Sequence, residues 1–178
     1  YVNASFRLAS NLLFSGEYTY TVRAKGTLSY RLPSNLQFEI NYTKYAKDQK
    51  AINYNYLEER KAVISMPIRL NKFSAYNRIT VNQLVLPTTK YTTGEWLLSG
   101  SLFGVSTNIT SYALFIGNTK PYIYSNLSLS IRLPSKFTFI PQAQYGYADK
   151  KFRSAKLGLE KQVLQHGFLN LSYEQNFK

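Results

Sequence analysis

The sequence predicts an all-β protein, built as one antiparallel, up-and-down sheet of about twelve strands. Apolar and polar residues alternate through most of the chain, and turn-forming residues separate the alternating runs. Tyr occurs 16 times and Phe 11 times, as is typical of strands, whereas no segment keeps a helical period beyond a turn or two. We expect residues 1–178 to form a single domain.

A nine-residue segment, 30–38, recurs with small changes where the chain must reverse. Close copies occupy 6–14 and 131–139, and a shorter, degenerate copy occupies 68–73. Each copy has an alternating run, about two turn-forming residues and a second alternating run, which is the pattern of a tight β-hairpin. Because the pattern repeats, it predicts hairpins more strongly than a single turn signal does.

The first half of the chain is predicted to contain a long strand over residues 12–23, which keeps strict alternation. Strands of soluble domains usually have about 5 to 6 residues, so this length favours a barrel wall. A turn is expected at residues 25–26, and the break in alternation over 46–59 predicts a long polar loop. The other strands are expected at 2–8, 27–32, 36–45, 62–70 and 73–86.

The second half continues the same alternation of short turns and longer connections. Short turns are expected near 107, 134 and 166, and longer connections over 87–95, 117–121 and 148–153. The strands between them are expected at 96–104, 112–116, 123–133, 137–147, 155–163 and 169–173.

The composition points to an anionic partner. Twenty-two Lys and Arg against nine Asp and Glu give a net charge of +13, which suits nucleic acid, lipid phosphate or an acidic solute and does not choose among them. Cys is absent, so disulfides and thiolate metal sites are excluded. No run of apolar residues is long enough for a transmembrane helix, but a transmembrane strand needs only about 9 to 11 residues with one apolar face.

The two kinds of reversal alternate along the chain. Short turns lie near 9, 33, 71, 107, 134 and 166, and more charged, mostly longer connections lie near 25, 52, 91, 119 and 150. This arrangement resembles Gram-negative outer-membrane β-barrel proteins, which have short periplasmic turns and longer external loops. The resemblance covers the whole chain at the level of architecture. It implies a transmembrane β-barrel, or an open segment of one, in the cell outer membrane.

The order of the turns predicts that both ends of the sheet lie on the long-loop side. The first strand runs toward a short turn and the last runs away from one. Complete single-chain barrels of this class place both termini on the short-turn side, so we expect an internal piece of a larger barrel or missing terminal strands. The first and last strands alternate in the same way as strands inside a barrel wall. They lack the charges or prolines that usually protect a free edge.

Four arginines occupy the same place in their repeats, on the polar face just before a short turn. In a barrel they would form a basic ring at the short-turn mouth, where a charged rim favours anions. Pairing with wall carboxylates or turn carbonyls is the alternative. The ring consists of Arg7, Arg31, Arg69 and Arg132, and the other charges expected in the lumen are Glu17, Arg23, Glu39, Arg78 and Glu160.

Aromatic residues are predicted to form two bands at the membrane interfaces, since a tyrosine ring suits lipid and its hydroxyl suits water. In a soluble barrel the same rings would be core and rim. The long-loop band would contain Tyr18, Tyr20, Tyr42, Tyr122, Tyr124, Tyr145 and Tyr147, and the short-turn band Phe14, Tyr30, Phe38, Phe137 and Phe139.

Six lysines fall in or beside the long-side connections and supply much of the positive charge. We expect them on the external side, in contact with phosphates of outer-membrane lipid and lipopolysaccharide. They are Lys47, Lys50, Lys90, Lys120, Lys150 and Lys151.

The sequence offers little support for catalysis. His166 is the only histidine and lies in a predicted turn without an evident Ser and Asp partner. Glu58 and Glu59 are adjacent, so in a strand they would point to opposite faces. No nucleotide-binding loop or metal-ligand spacing is present, and we expect neither enzyme activity, a metal nor a cofactor.

These observations predict an outer-membrane β-barrel that forms part of a transport, secretion or assembly pore. A non-conducting structural or adhesive barrel is one alternative, and a soluble basic β-domain that binds nucleic acid is another. The expected partners are outer-membrane lipid and lipopolysaccharide, further strands of the same polypeptide, or other membrane or periplasmic subunits. Nucleic acid is not an expected partner of the membrane form.

Overall fold

The computed structural model describes residues 2–19, 23–45, 57–163 and 167–177. These residues form twelve antiparallel strands in one up-and-down sheet, in which each strand pairs with its neighbours in sequence. A one-turn 3₁₀ helix at Pro134–Lys136 joins the ninth and tenth strands. The strands are β1 (Val2–Ala9), β2 (Leu12–Thr19), β3 (Arg23–Arg31), β4 (Gln37–Tyr45), β5 (Glu58–Leu70), β6 (Phe73–Val85), β7 (Lys90–Leu102), β8 (Val105–Ile116), β9 (Tyr122–Leu133), β10 (Phe137–Gly146), β11 (Lys151–Gln162) and β12 (Phe168–Asn176).

The expected all-β, up-and-down arrangement of about twelve strands is confirmed. The sheet is not closed, because within the described residues β1 pairs only with β2 and β12 only with β11. The open edges agree with the expectation that the first and last strands do not pair with each other.

The strand register places apolar residues opposite apolar residues. In the first five strands, one row runs from Phe14 to Leu28, Ile40 and Ala62. In the last four strands, a comparable row runs from Ile131 to Phe139, Leu159 and Leu171. Directly opposed residues share one side of a sheet, so the alternation in sequence becomes an apolar face, which contains these rows, and a polar face on the other side.

The polar face carries the intervening residues of the same strands. Glu17 lies opposite Lys25, which lies opposite Thr43. At the other end of the sheet, Gln142 lies between Ser128 and Lys156, and Lys156 lies opposite Glu174. One-residue slips would exchange the two faces, so the alternation itself holds the register.

By proximity of their residues, the strands form two compact units. The first contains Tyr1–Met66, Arg78–Glu95 and Leu114–Pro121, and the second contains Pro67–Asn77, Trp96–Ala113 and Tyr122–Lys178. The expectation of a single domain over 1–178 stays a prediction.

Neither unit has a hydrophobic core within the described residues. Ala75, with 6% of its surface exposed, is the one buried hydrophobic residue among them, and no side chain is completely buried. The other buried residues described are Thr43, Ser65, Thr107, Gly146 and Gly158. The apolar residues that the alternation provides are therefore gathered on one face and are not enclosed by the chain.

The predicted strand over residues 12–23 is wrong at its end. β2 stops at Thr19 and β3 begins at Arg23, so Lys25 and Gly26 lie inside a strand and do not form a turn. Gly26 faces Gly16, and Lys25 faces Glu17, which makes a cross-strand pair of opposite charges. The reversal after β2 includes residues 20–22, which lie outside the described residues, as does the core of the predicted loop at 46–56.

The turn predicted near Thr107 is also wrong, because the chain reverses at Phe103 and Gly104. Both residues have positive φ, 51° and 83°, as a two-residue hairpin turn of type I′ requires. Gly104 accepts this backbone easily, and Phe103, with 83% of its surface exposed, contributes no polar turn signal. The sequence pattern does not indicate this turn, because Phe103 is apolar and polar residues are the usual turn signal.

Three predicted loops are shorter than expected, because some charged residues that the sequence pattern assigns to these loops belong to strands. β5 begins at Glu58, β7 at Lys90 and β11 at Lys151. The connection before β7 is a tight turn in which the Leu86 amide donates to the Thr89 carbonyl at 2.9 Å. Polar side chains at strand ends gain partners across the sheet, so their polarity does not end the strand.

We expect Gly104→Val to lower the free energy of unfolding by about 1 to 3 kcal/mol, because a β-branched residue at φ +83° is strained. Gly26→Val is the matched control, since a side chain there meets no atom within 4 Å and Val suits a strand. Urea unfolding followed by the fluorescence of Trp96 measures both changes. Equal losses for the two variants would contradict the turn assignment.

Candidate functional site: the two faces of the sheet

The apolar face is uncovered. Ile40 in β4 is 58% exposed, Leu157 in β11 is 50% exposed and Leu171 in β12 is 61% exposed. Apart from the strands, the described part of the chain contains only the 3₁₀ turn at Pro134–Lys136, so no element of it packs over these side chains. A sheet with one apolar face is stable only when another apolar surface covers that face.

Aromatic residues lie at the long-connection end of the apolar face in the second unit. Tyr145 contacts Tyr147 and Phe152 edge to face, with ring centroids 5.2 and 5.3 Å apart. In β7 of the same unit, the Trp96 indole donates a hydrogen bond to the Asn77 side-chain oxygen at 2.7 Å. Rings with an apolar body and a polar edge suit a boundary between lipid and water.

The predicted long-loop aromatic band is wrong for two of its members. Tyr124 lies opposite Gly146, and the register puts this pair on the polar face with Asn126 and Gln144. Tyr122 contacts Tyr124 at 5.5 Å between ring centroids, so it belongs to the same side. Tyr122 and Tyr124 are an odd number of residues from Leu127 and Ile131, so alternation puts them on the opposite face, and a band defined by position along the strand does not distinguish the two faces.

Hydrogen bonds connect the polar face from strand to strand. In the first unit the Thr27 hydroxyl donates to the Asn41 oxygen at 2.7 Å, and the Asn41 amide donates to Glu39 at 2.6 Å. Glu59 of β5 accepts from Tyr45 at 3.3 Å and from Asn82 at 3.1 Å. Side chains of this kind form a surface that water can wet.

The charges predicted for the lumen mostly have polar partners. Arg23 and Glu17 form an ion pair at 2.9 Å, and Glu39 accepts from the Asn41 amide. Arg78 pairs with Glu95 at 3.1 Å, a partner that the sequence pattern had placed in a loop. Glu160 lies opposite Thr138 on one side and Asn170 on the other.

The four arginines of the predicted ring are exposed and lie next to short turns. Arg31 donates to Gln37 at 3.4 Å, and within the described residues none of the four forms an ion pair with a carboxylate. Of the expected carboxylate partners, Glu17 pairs with Arg23 and Glu39 accepts from Asn41. Glu160 lies in the same cross-strand row as Arg132, with Thr138 between them. Arg7 and Arg31 belong to the first unit, and Arg69 and Arg132 belong to the second.

Four of the six predicted external lysines lie among the described residues. Lys90 and Lys151 are the first residues of β7 and β11, and Lys120 and Lys150 lie in the connections before β9 and β11. All four are exposed on the long-connection side. Lys47 and Lys50 lie outside the described residues.

The pattern of the sequence missed a cluster around Arg153, which it had placed in a loop. The Arg153 guanidinium lies 4.6 Å from the centre of the Tyr122 ring and also donates to the Tyr122 hydroxyl. It pairs with Asp149 at 3.1 Å. An irregularity in the pairing of β10 with β11, between Gln144 and Tyr145, lies beside Arg153 and has no signature in the sequence.

Other kinds of site find no support in the described residues. No group of three or more His, Asp or Glu side chains is arranged there to hold a metal ion. No helix in the same residues is long and apolar enough to cross a membrane.

If lipid covers the apolar face, Leu157→Lys, in the middle of β11 on that face, should cost about 2 to 4 kcal/mol of unfolding free energy in lipid vesicles, because lysine is expensive at the centre of a bilayer. Ser172→Lys is the control, since Ser172 lies on the polar face opposite Gly158 and should change stability little. Urea unfolding from vesicles measures both. If Leu157→Lys were as mild as Ser172→Lys, the apolar face would not contact lipid.

Comparison with protein-family models, curated proteins and solved structures finds no significant match to this chain. The two faces of the sheet, with their exposed apolar rows and their connected polar rows, are therefore the observations from which a function is inferred. They define two surfaces of opposite chemistry on a single layer of strands.

Proposed function

We propose that this chain is part of the wall of an outer-membrane β-barrel, and that its polar face lines a conduit for transport, secretion or assembly. The observation that carries the proposal is the exposed apolar face combined with the lack of a hydrophobic core among the described residues. Lipid is the partner whose chemistry covers such a face along its whole extent. The alternation places polar side chains on the opposite side, toward water.

Water does not suit the apolar face. Soluble monomers rarely expose contiguous apolar patches larger than a few hundred Å². Covering a Leu, Ile or Phe side chain contributes about 1.5 to 3 kcal/mol each, and this face has many such residues in register. Hydrocarbon provides this cover, and the strands between the two edges satisfy their backbone hydrogen bonds within the sheet, as crossing a membrane requires.

The strand lengths fit a bilayer. β5, β6 and β7 have 13 residues each, and β8, β9 and β11 have 12. At about 3.3 Å per residue a 13-residue strand is roughly 43 Å long, which corresponds to about 30 Å of height at a tilt of about 45°. This equals the thickness of the hydrocarbon core.

The free edges of β1 and β12 require further strands. An unpaired backbone group in lipid costs several kcal/mol, so an open edge is not stable there. β12 is exposed along its whole length and keeps the alternation of an ordinary wall strand. Pairing with strands of the same polypeptide, or of another membrane or periplasmic subunit, completes the wall.

The polar face supports a water-filled interior that favours anions. Arg7, Arg31, Arg69 and Arg132 all lie near short turns and have no carboxylate partner within the described part of the chain. Unpaired positive charge at a pore mouth attracts anions and repels cations. A barrel that fills its interior would instead be a structural or adhesive protein.

We expect the chain to float with liposomes. The completed barrel, in which further strands pair with β1 and β12, should give single-channel conductance in planar bilayers, with the reversal potential of an anion-selective pore in a KCl gradient. Replacing the four arginines by Gln should shift that potential toward zero, because the positive rim is removed. Insertion of the completed barrel without conductance would favour a structural barrel. A monomer that stays soluble without detergent and does not float would contradict the membrane proposal and favour the soluble, nucleic-acid-binding alternative.

The lysines on the long-connection side should determine binding to phosphate-bearing lipid. Replacing Lys47, Lys50, Lys90, Lys120, Lys150 and Lys151 by Gln is expected to weaken binding to vesicles that contain lipopolysaccharide at low salt. Each lysine contributes about 1 kcal/mol or less, and salt screens the effect beyond about 10 Å at 0.1 M.

The arginine and lysine variants control for each other. The lysine variant should keep the anion selectivity, and the arginine variant should keep the lipid binding, because the two sets lie at opposite ends of the strands. Unchanged lipid binding in the lysine variant would contradict the proposed external contacts.

A further inference from the structure

We infer that the polar face of the second unit carries a binding groove for a neutral oligosaccharide. The inference rests on the proposed function, because it names the solute class that the polar face would meet in the conduit. Two neighbouring features carry it, a cluster of tyrosines whose rings contact one another and a groove lined by side-chain amides and hydroxyls.

Three tyrosines in mutual contact, Tyr112, Tyr122 and Tyr124, form what we call the tyrosine platform, with the ring planes tilted by 39° and 57°. Ring centroids are 5.4 Å apart between Tyr112 and Tyr124, and 5.5 Å apart between Tyr122 and Tyr124. Tyr124 of β9 lies opposite Gly146 of β10, on the polar face of the sheet, and Tyr122 is 39% exposed. Aromatic rings on a face that otherwise carries Asn, Gln and Ser are not explained by contact with lipid.

Arg153 holds one end of the tyrosine platform. It lies on β11, and its side chain crosses β10 at Gly146 to reach Tyr122 on β9. A side chain at Gly146 would meet the Arg153 and Asp149 side chains, so the absence of a Cβ there leaves the path open. Asp149 balances the charge of Arg153 at 3.1 Å, which makes this arrangement a support for the ring.

A polar groove of about 400 Å³ begins beside the platform. Asn126 lines it and is two residues along β9 from Tyr124, roughly 7 Å away on the same face. The other side chains that matter for binding are Ser128, Gln142, Gln144, Lys156 and Glu174.

The lining suits hydroxyl groups. Asn and Gln amides both donate and accept hydrogen bonds, as Ser does, which matches the two roles of each sugar hydroxyl. The negative face of a tyrosine ring attracts the weakly positive C–H groups on the apolar side of a sugar ring. Lys156 lies opposite Glu174, so the groove has no excess charge for a phosphate or carboxylate.

The length of the surface favours a chain of sugars over a single one. From Tyr122 to Ser128 the polar face of β9 covers six steps along the strand, roughly 20 Å. A single sugar ring would reach either the tyrosine platform or the amides of the groove, whereas an oligosaccharide reaches both.

The test is calorimetry and saturation-transfer NMR on the full chain in a zwitterionic detergent, since sugar-headed detergents would compete. The probes are maltohexaose, cellohexaose and chitohexaose at millimolar concentration, with glucose and a thymidine octanucleotide as comparisons. We expect at least one hexaose to bind more tightly than glucose. Tyr124→Ala should weaken it by about tenfold, the loss of about one stacking contact.

Matched variants separate binding from folding. Tyr124→Phe should restore most of the affinity, because stacking needs the ring, and Tyr173→Ala, on the exposed apolar face, should leave it unchanged. Gly146→Val should weaken binding by displacing Arg153 from Tyr122. If Tyr124→Ala did not fold, the Gly146→Val and Asn126→Ala variants would carry the test.

Binding of no hexaose, tighter binding of the octanucleotide, or hexaose binding that the platform and groove variants do not weaken would each overturn the inference. Failure of the proposed function appears elsewhere, as failure to float with liposomes. A chain that inserts in lipid without binding sugar would contradict this inference alone.

Discussion

The uncovered apolar face is the constraint on which the rest of the structure depends. The strands from β2 to β11 pair with a neighbour on both sides, and the apolar side chains then have no second layer to pack against among the described residues. Ala75 is the one hydrophobic residue buried among those described. Stability therefore has to come from whatever covers the face, and lipid is the proposed cover.

The polar face follows from the same alternation but has its own organisation. Some of its charged side chains form ion pairs with the next strand, as Arg23 does with Glu17 and Arg78 with Glu95. The four arginines near the short turns form no such pair within the described residues, and a proposed anion-selective mouth uses this difference. At the opposite end, Gly146 leaves space for Arg153 to cross a strand and reach Tyr122.

Most of the fold was predictable because period-two alternation is a local signal. Strands β6, β9 and β10 begin and end within about two residues of the predicted bounds. Errors arose where a turn has no polar signature, as at Phe103 and Gly104, or where a turn signal lies inside a strand, as at Lys25 and Gly26. The conformation of those residues depends on pairing with a neighbouring strand, and local propensity carries no information about that pairing.

The sequence by itself determined that the chain forms an up-and-down sheet with an apolar and a polar face, because alternation and turn residues act within a few neighbouring residues. Only the tertiary structure decided which strand residues meet. It brought Tyr112 against Tyr124 and Arg153 to Tyr122 across Gly146, and it left β1 and β12 unpaired at the edges. The reason is physical: register, irregular pairing and the crossing of one side chain over another strand depend on residues far apart in sequence.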